Sequence, residues 1–311
     1  NNDIYYLSEN TLNKLGKDYE LIKKIKGEEL VGLRYESFYP DFEVQKRIDH
    51  KVIPWKEVQA EEGTGIVHIA PSCGIEDYEL AEKESLPIIK SALDEEGNYN
   101  DGFGWLSGKN VKEVKSVIVK DLEERGLLFK KEDYKHRYPI CWRCKEELVF
   151  RLGSEWFISC NEIRPKMKEE ASKVKWTPKH VNELMQDWLN NMGDWNISRK
   201  RYWGLPLMFF ECDCGNLEVI GSIKELKEKA IDPKKVDKLP EFHRPWIDEI
   251  KIKCSKCKKE VERIKEIGDC WLDAGIVSFS TLKYFEDKKY WKKWFPANLI
   301  IEMRAQVRLW F

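Results

Sequence analysis

The chain has 311 residues, 42% of them hydrophobic and 35% charged, with a formal net charge of −1. That length admits two or three domains with real cores, and near-neutrality excludes capture of nucleic acid by global basicity, so such a partner needs local patches. No apolar run reaches the eighteen or so residues of a membrane span, and the first residues do not read as a signal peptide.

In chain order, residues 8–16 predict a short helix with Ser8 or Thr11 as its cap and Gly16 as its stop. "GIVHIA" (65–70) reads as a buried strand from its β-branched density. "EDYELAEKES" (76–85) is a short helix, and 86–99 a strand followed by a turn. Val111, Val114, Val117, Ile118 and Leu122 make one stripe of a helix that Gly126 ends. "YPICWRCKEELVF" (138–150) is a knuckle between extended segments.

The next helix takes Thr177 as cap and Pro178 as first residue, with Val181, Leu184, Met185, Trp188, Leu189 and Met192 as its apolar face. Ser222 with Glu225 makes a capping box. Alternation of strand and helix favours an α/β class with irregular insertions.

The nine cysteines come partly in pairs. Without a secretory signal they point to metal chemistry in a reducing cytoplasm, not to disulfides. Cys212-x-Cys214 and Cys254-x-x-Cys257 lie in polar turns, and four sulfurs at about 2.3 Å satisfy a tetrahedral zinc ion. With every position filled such a site is structural, and Lys253, Lys256, Lys258 and Lys259 favour its thiolates. Cys141 and Cys144 look like half of a second site, while Cys73, Cys160 and Cys270 read as small core residues.

In "GTGIVHIAPSCGIEDY" (63–78), Asp77 follows His68 by nine residues across a Pro-Ser-Cys-Gly turn. A strand histidine alone is more often a core residue than a functional one. This stretch, "CWRC" followed by "SEWFI", "WNISRKRYWGLPL" (195–207), "DCWLDAG" (269–275) and "WFPANLIIEMRAQVRLWF" (294–311) together resemble, in order, the isoleucyl branch of the class I aminoacyl-tRNA synthetases. Arg201-Tyr202-Trp203-Gly204 with Trp271 and Asp273 favours that branch over its valyl and leucyl relatives.

The resemblance implies a partial β-barrel-like editing domain inserted in a Rossmann-type catalytic domain. Residues 1–150 would be editing domain, 151–210 catalytic domain, 211–266 a zinc-bearing insertion and 267–311 catalytic domain again. In such a pocket Asp77 would anchor the α-ammonium of a mischarged valyl ester and His68 would line the same space. Gly63 and Gly65 would let backbone approach, Thr64 would offer a hydroxyl, and Cys73 replaces a bulkier family residue. On the synthetic side Trp271 and Trp310 would flank the isoleucine side chain, with Glu302 and Gln306 on the aminoacyl-adenylate; Ala305 stands where the family has aspartate. The cluster Arg199, Lys200 and Arg201 would face tRNA phosphate or form a solvated turn.

The implied partners are isoleucine, its tRNA, and ATP with Mg as substrate; a cytoplasmic monomer is expected. Asn1 in place of methionine, the apolar ending, and the missing His-Ile-Gly-His and Lys-Met-Ser-Lys-Ser motifs mark an internal piece, expected to be inactive in aminoacylation by itself. The competing readings are a free-standing deacylase acting on mischarged tRNA and a non-enzymatic zinc ribbon that binds nucleic acid.

Overall fold

A computed structural model describes residues 3–17, 19–90, 92–133 and 135–309. The chain divides into two compact units, Asn1–Gly153 and Ser154–Phe311.

In the first unit Ser8 accepts a hydrogen bond from the Asn10 amide and opens a 3-10 helix over Glu9–Leu15, which Gly16 ends at φ 79°. Helix α1, Ile75–Lys83, buries Leu80 and Ala81. Helix α2, Lys115–Glu124, starts later than its stripe predicts: Val114 flanks its start and is buried, whereas Val117 is 45% exposed. Phe42, Phe103, Leu106 and Val114 form the core of this unit. Tyr39 stacks on Phe42 at 4.8 Å. Gly104 lies so close to the Phe42 ring that a Cβ there would sit 2.5 Å from Cε1.

The "GIVHIA" segment is not a buried strand. It pairs with nothing among the described residues, and Ile66 and Val67 are 47% and 50% exposed. β-Branched density supplies propensity, but a strand needs a partner and a covered face. Among the described residues of this unit only isolated bridges occur, such as Leu93↔Tyr99 and Ile140↔Glu147.

The second unit opens with β1, Phe157–Ile158, then α3, Arg164–Lys173, and α4, Val181–Asn191. Strands β2, Trp195–Asn196, β3, Ser198–Arg199, β4, Phe209–Glu211, and β5, Leu217–Val219, follow. Helices α5, Ile223–Lys229, and α6, Pro233–Asp237, precede β6, Lys251–Lys253, β7, Glu260–Glu262, and β8, Ile267–Gly268. Among the described residues four further helices follow: α7, Cys270–Gly275, α8, Val277–Ser280, α9, Lys288–Trp294, and α10, Arg304–Leu309.

All sheets among the described residues are two-stranded and antiparallel: β1 with β2, β3 with β8, β4 with β5, and β6 with β7. The fold is therefore mixed helix and sheet, and neither the expected barrel nor a parallel Rossmann-type sheet is found among the described residues. Helix α4 begins at Val181, after a turn in which the Val181 amide donates to Pro178 O at 3.1 Å, so neither Thr177 nor Pro178 opens it. Its buried face is Met185 and Leu189, while Leu184 is 49% exposed. The capping box at α5 is displaced by one residue: Ser222 accepts from the Glu225 amide, but Glu225 accepts from Gly221. The largest core lies between Phe210 and Val261, with Ile252 fully buried at its centre.

Candidate functional site

Two tight turns build a sulfur cluster in the second unit. After β4 the Cys212 amide donates to Asn216 O at 2.9 Å, the Gly215 amide donates to Cys212 O at 2.8 Å, and Gly215 takes φ 78°. After β6 the Cys254 amide donates to Lys259 O at 2.9 Å, the Lys258 amide donates to Cys254 O at 3.0 Å, and Lys258 takes φ 63°. These turns bring the sulfurs of Cys212, Cys214, Cys254 and Cys257 within 4.8 Å of one another. The gap is 3.4 Å for Cys212 to Cys257 and 3.7 Å for Cys214 to Cys254. A tetrahedron with metal–sulfur bonds of about 2.3 Å has edges of about 3.8 Å, so the cluster fits a tetrahedral metal ion.

Hydrogen bonds from the Cys257 and Lys256 amides outweigh burial and bring the Cys254 thiol down to about 6. The Cys214 amide lowers Cys212, but its Cys257 contact and burial prevail and push it up to about 12. Four thiols at this spacing cannot all ionise without a cation among them.

A carboxylate braces the cluster from β5, and a buried arginine is held elsewhere in the same core. Burial raises the pKa of Glu218, but the Ser255 amide at 2.6 Å and Lys229 at 3.0 Å more than reverse this and hold it below the usual carboxylate range. Fully buried Arg263 pairs with Asp248 and donates to Leu207 O and Glu266 O. The four nearby lysines are exposed, and Lys258 donates to Ser255 O at 2.9 Å.

Cys141 and Cys144 form a turn of the same shape as the 254–259 turn. The Cys141 amide donates to Glu146 O at 2.8 Å, the Lys145 amide donates to Cys141 O at 2.9 Å, and Lys145 takes φ 65°. Among the described residues no further ligand group joins this pair. Of the three lone cysteines, Cys160 is buried as expected, whereas Cys73 and Cys270 are exposed.

The first unit carries a cleft of about 1630 Å³, lined by Gly65, Ile66, His68, Ser72 and Cys73 among others. His68 is exposed there, not a core residue, and it makes no side-chain hydrogen bond among the described residues. Asp77 is half-buried as the third residue of α1 and does not line the cleft. Its Oδ1 accepts the Ala70 amide at 2.9 Å, which ties the 70–74 loop to the helix; Oδ2 has no hydrogen-bond partner among the described residues.

Gly63 and Thr64 face a separate cavity of about 350 Å³ with Tyr5, Tyr6 and Phe129. The Thr64 hydroxyl donates to Ile66 O at 3.1 Å. Gly65, at φ 73°, is held against Ser8, whose Cβ would lie 2.5 Å from an added Cβ. Of the five residues expected around one pocket, Gly65 and His68 line the cleft, Gly63 and Thr64 the smaller cavity, and Asp77 neither.

Asp269 organises the synthetic-side motifs, a role the sequence reading missed. It is buried, its Oδ2 accepts Arg199 Nη2 at 2.5 Å and Trp195 Nε1 at 3.3 Å, and its Oδ1 accepts the Trp271 amide at 3.1 Å as the cap of α7. Ser198 donates to Glu155 at 2.5 Å and accepts the Trp156 amide at 2.9 Å. "SEWFI", "WNISR" and "DCWLDAG" therefore meet at one hub. Arg199 is bonded into this hub through Asp269 and keeps 33% of its side chain exposed. The available signal was aspartate directly before an apolar helical turn, a favoured capping position.

Trp271 lies in the first turn of α7. Glu302 is exposed just before α10, and Gln306 lies on α10 with its side-chain oxygen buried and unpaired. Trp310 lies outside the described residues.

The family model described as tRNA synthetases class I (I, L, M and V) matches residues 20–311. The chain is 42% identical over 296 residues to the isoleucine--tRNA ligase of Clostridium tetani, covering 94% of this chain and 28% of that protein. It is 36% identical over 313 residues to the isoleucine--tRNA ligase of Methanothermobacter thermautotrophicus, covering 99% and 30%. Against isoleucine--tRNA ligase 2 of Pseudomonas fluorescens it is 37% identical over 309 residues, covering 98% and 29%. The chain thus spans less than a third of the length of these curated relatives. With the family model matched from residue 20 to residue 311, the chain belongs to the class I tRNA synthetases of the I, L, M and V group.

Proposed function

We propose that this chain is a segment of an isoleucine--tRNA ligase, and that the cleft of its first unit hydrolyses valine mistakenly esterified to the isoleucine tRNA. The observation that carries the reading is near end-to-end similarity to proteins of that name, at 94% to 99% of this chain. Such an enzyme needs a second pocket, because isoleucine exceeds valine by one methylene, an established discrimination worth only about 1–3 kcal/mol.

In the hydrolysis, water adds to the ester carbonyl, the tetrahedral carbon expels the ribose oxygen, and that oxygen takes up a proton. His68, exposed at the cleft and unpaired among the described residues, has both ring nitrogens free for the ester or the water. The α-ammonium needs a carboxylate. Asp77 stands behind the Ala70 wall of the cleft, bonded to the Ala70 amide at 2.9 Å, and its free Oδ2 is the acceptor we assign to an ammonium that reaches past that wall. Gly65 lines that cleft, while Gly63 and Thr64, on the neighbouring cavity, hold the turn that leads into it. On the synthetic side, Trp271 and Trp310 would hold the isoleucine side chain, with Glu302 and the unpaired oxygen of Gln306 on the adenylate; ATP with Mg and isoleucine are the substrates. The four-cysteine cluster would hold zinc, a closed site that fastens β4–β5 to β6–β7 and leaves no position for chemistry.

A free-standing deacylase has no use for the Asp269 hub, and a zinc ribbon alone leaves the first unit without a role. The test is His68→Ala in the polypeptide that contains this chain. Deacylation of valyl-tRNA should fall at least tenfold with metal content unchanged; an unaltered rate excludes the cleft as the editing pocket.

A further inference from the structure

Helix α9 sorts its cations from its rings. At 3.6 residues per turn, Lys288, Lys289, Lys292 and Lys293 fall within about 140° of one side, Tyr290 and Trp294 come next beyond Lys293, and Trp291 closes the circle. Trp291 fastens the helix to the unit. It is half-buried, stacks on Phe279 at 5.8 Å and on Phe295 at 4.8 Å, and donates Nε1 to Ser278 O at 3.1 Å. Asp287 caps the start by accepting the Lys289 and Tyr290 amides, each at 3.0 Å.

The anchored helix shows solvent a mixture of charge and ring. Its four lysines are exposed, as is Lys283 in the turn before them, and none of the five has an ion pair among the described residues. Set against the carboxylates of Glu286 and Asp287, these five ammonium groups leave three positive charges in excess. Beside them Phe285 is 91% exposed, Trp294 52% and Tyr290 42%.

A nucleic-acid backbone would use the lysines and leave Phe285 in water. Base stacking needs open ring faces, and Lys293 already lies over Trp294 at 5.4 Å, as Lys283 does over Tyr290 at 5.8 Å. An apolar protein groove would take the rings and strand the lysines. An anionic membrane surface takes both, because aromatic rings settle at the headgroup level and lysines reach the negative charge. We infer that α9 and the turn before it form a peripheral contact for an anionic lipid surface, with Phe285 and Trp294 entering the headgroup layer and the five lysines on its charge. The inference goes beyond the proposed ligase segment and does not depend on it. One short helix without a lipid chain makes this contact reversible.

The test uses the whole 311-residue chain with vesicles of equal parts phosphatidylcholine and phosphatidylglycerol, and with vesicles of phosphatidylcholine alone. Cosedimentation at low salt should show about tenfold or more stronger partition to the anionic vesicles, falling as salt screens the lysines. Each lysine at such a surface is worth roughly a fivefold gain, so Lys292→Gln with Lys293→Gln should weaken binding about tenfold or more and flatten the salt dependence. Phe285→Ser should weaken it about fivefold or more and leave the salt dependence as it was. The replaced side chains are exposed and make no hydrogen bond among the described residues, so the fold should persist, which near-UV circular dichroism checks. Equal partition to the two kinds of vesicle, or binding indifferent to either substitution, would overturn the inference. So would duplex RNA bound through the same lysines by a chain that ignores vesicles, or self-association that Phe285→Ser abolishes, since the face would then belong to a nucleic acid or to a second copy.

Discussion

At Asp77 two demands fall on one carboxylate. Oδ1 holds the 70–74 loop through the Ala70 amide, and Oδ2, without a partner among the described residues, is where we propose that the substrate ammonium binds. Asparagine separates them, because its carbonyl can keep the loop tie while its charge is gone. If the ammonium is anchored here, Asp77→Asn hydrolyses valyl-tRNA at least tenfold more slowly, as Asp77→Ala does; a rate close to wild type in Asp77→Asn would reduce Asp77 to loop support. Asp269 carries a different burden, since it caps α7 and pairs with half-buried Arg199. Losing a helix cap costs about 1 kcal/mol, and losing a charged hydrogen-bond partner about 1–3 kcal/mol. Asp269→Ala should therefore lower the urea midpoint of unfolding by an amount matching about 2 kcal/mol or more, and a shift matching less than about 0.5 kcal/mol would show that the hub is dispensable.

Among the elements, local chemistry was the legible part. Ser8, Gly16, Ser222 and the cysteine turns stand where side-chain oxygen, positive φ and paired thiols require them. Pairing was not legible: "GIVHIA" has the composition of a strand yet finds no ladder, and the displaced start of α4 depends on a turn that Thr177 and Pro178 do not announce. The site divided along the same line. Four cysteines could be joined from spacing alone, whereas the meeting of Arg199 with Asp269 depends on the β3–β8 pairing seventy residues apart. The purified chain should carry one equivalent of zinc by elemental analysis, lost in Cys254→Ser together with resistance to heat; a second equivalent would place metal at Cys141 and Cys144 as well. Glu218 makes the same region acid-sensitive. Its lowered pKa contributes stability above the ordinary glutamate value, lost as pH falls through the lowered one. Glu218→Gln should then show a shallower loss of stability on acidification below about pH 5; an unchanged acid profile would show that the carboxylate is not linked to folding.

For the whole molecule, no helix among the described residues is long and apolar enough to cross a membrane. The family similarity runs through both units, from residue 20 to residue 311. Cleft, hub and sulfur cluster each lie within a single unit, so each can be perturbed while the others report on folding. Selectivity between two esters of one tRNA tests the proposed activity most directly. The polypeptide containing this chain, given valyl- and isoleucyl-esters of the isoleucine tRNA, should hydrolyse the valyl ester at least tenfold faster, with the difference abolished by His68→Ala. Equal rates for the two esters, or selectivity indifferent to His68, would contradict the account.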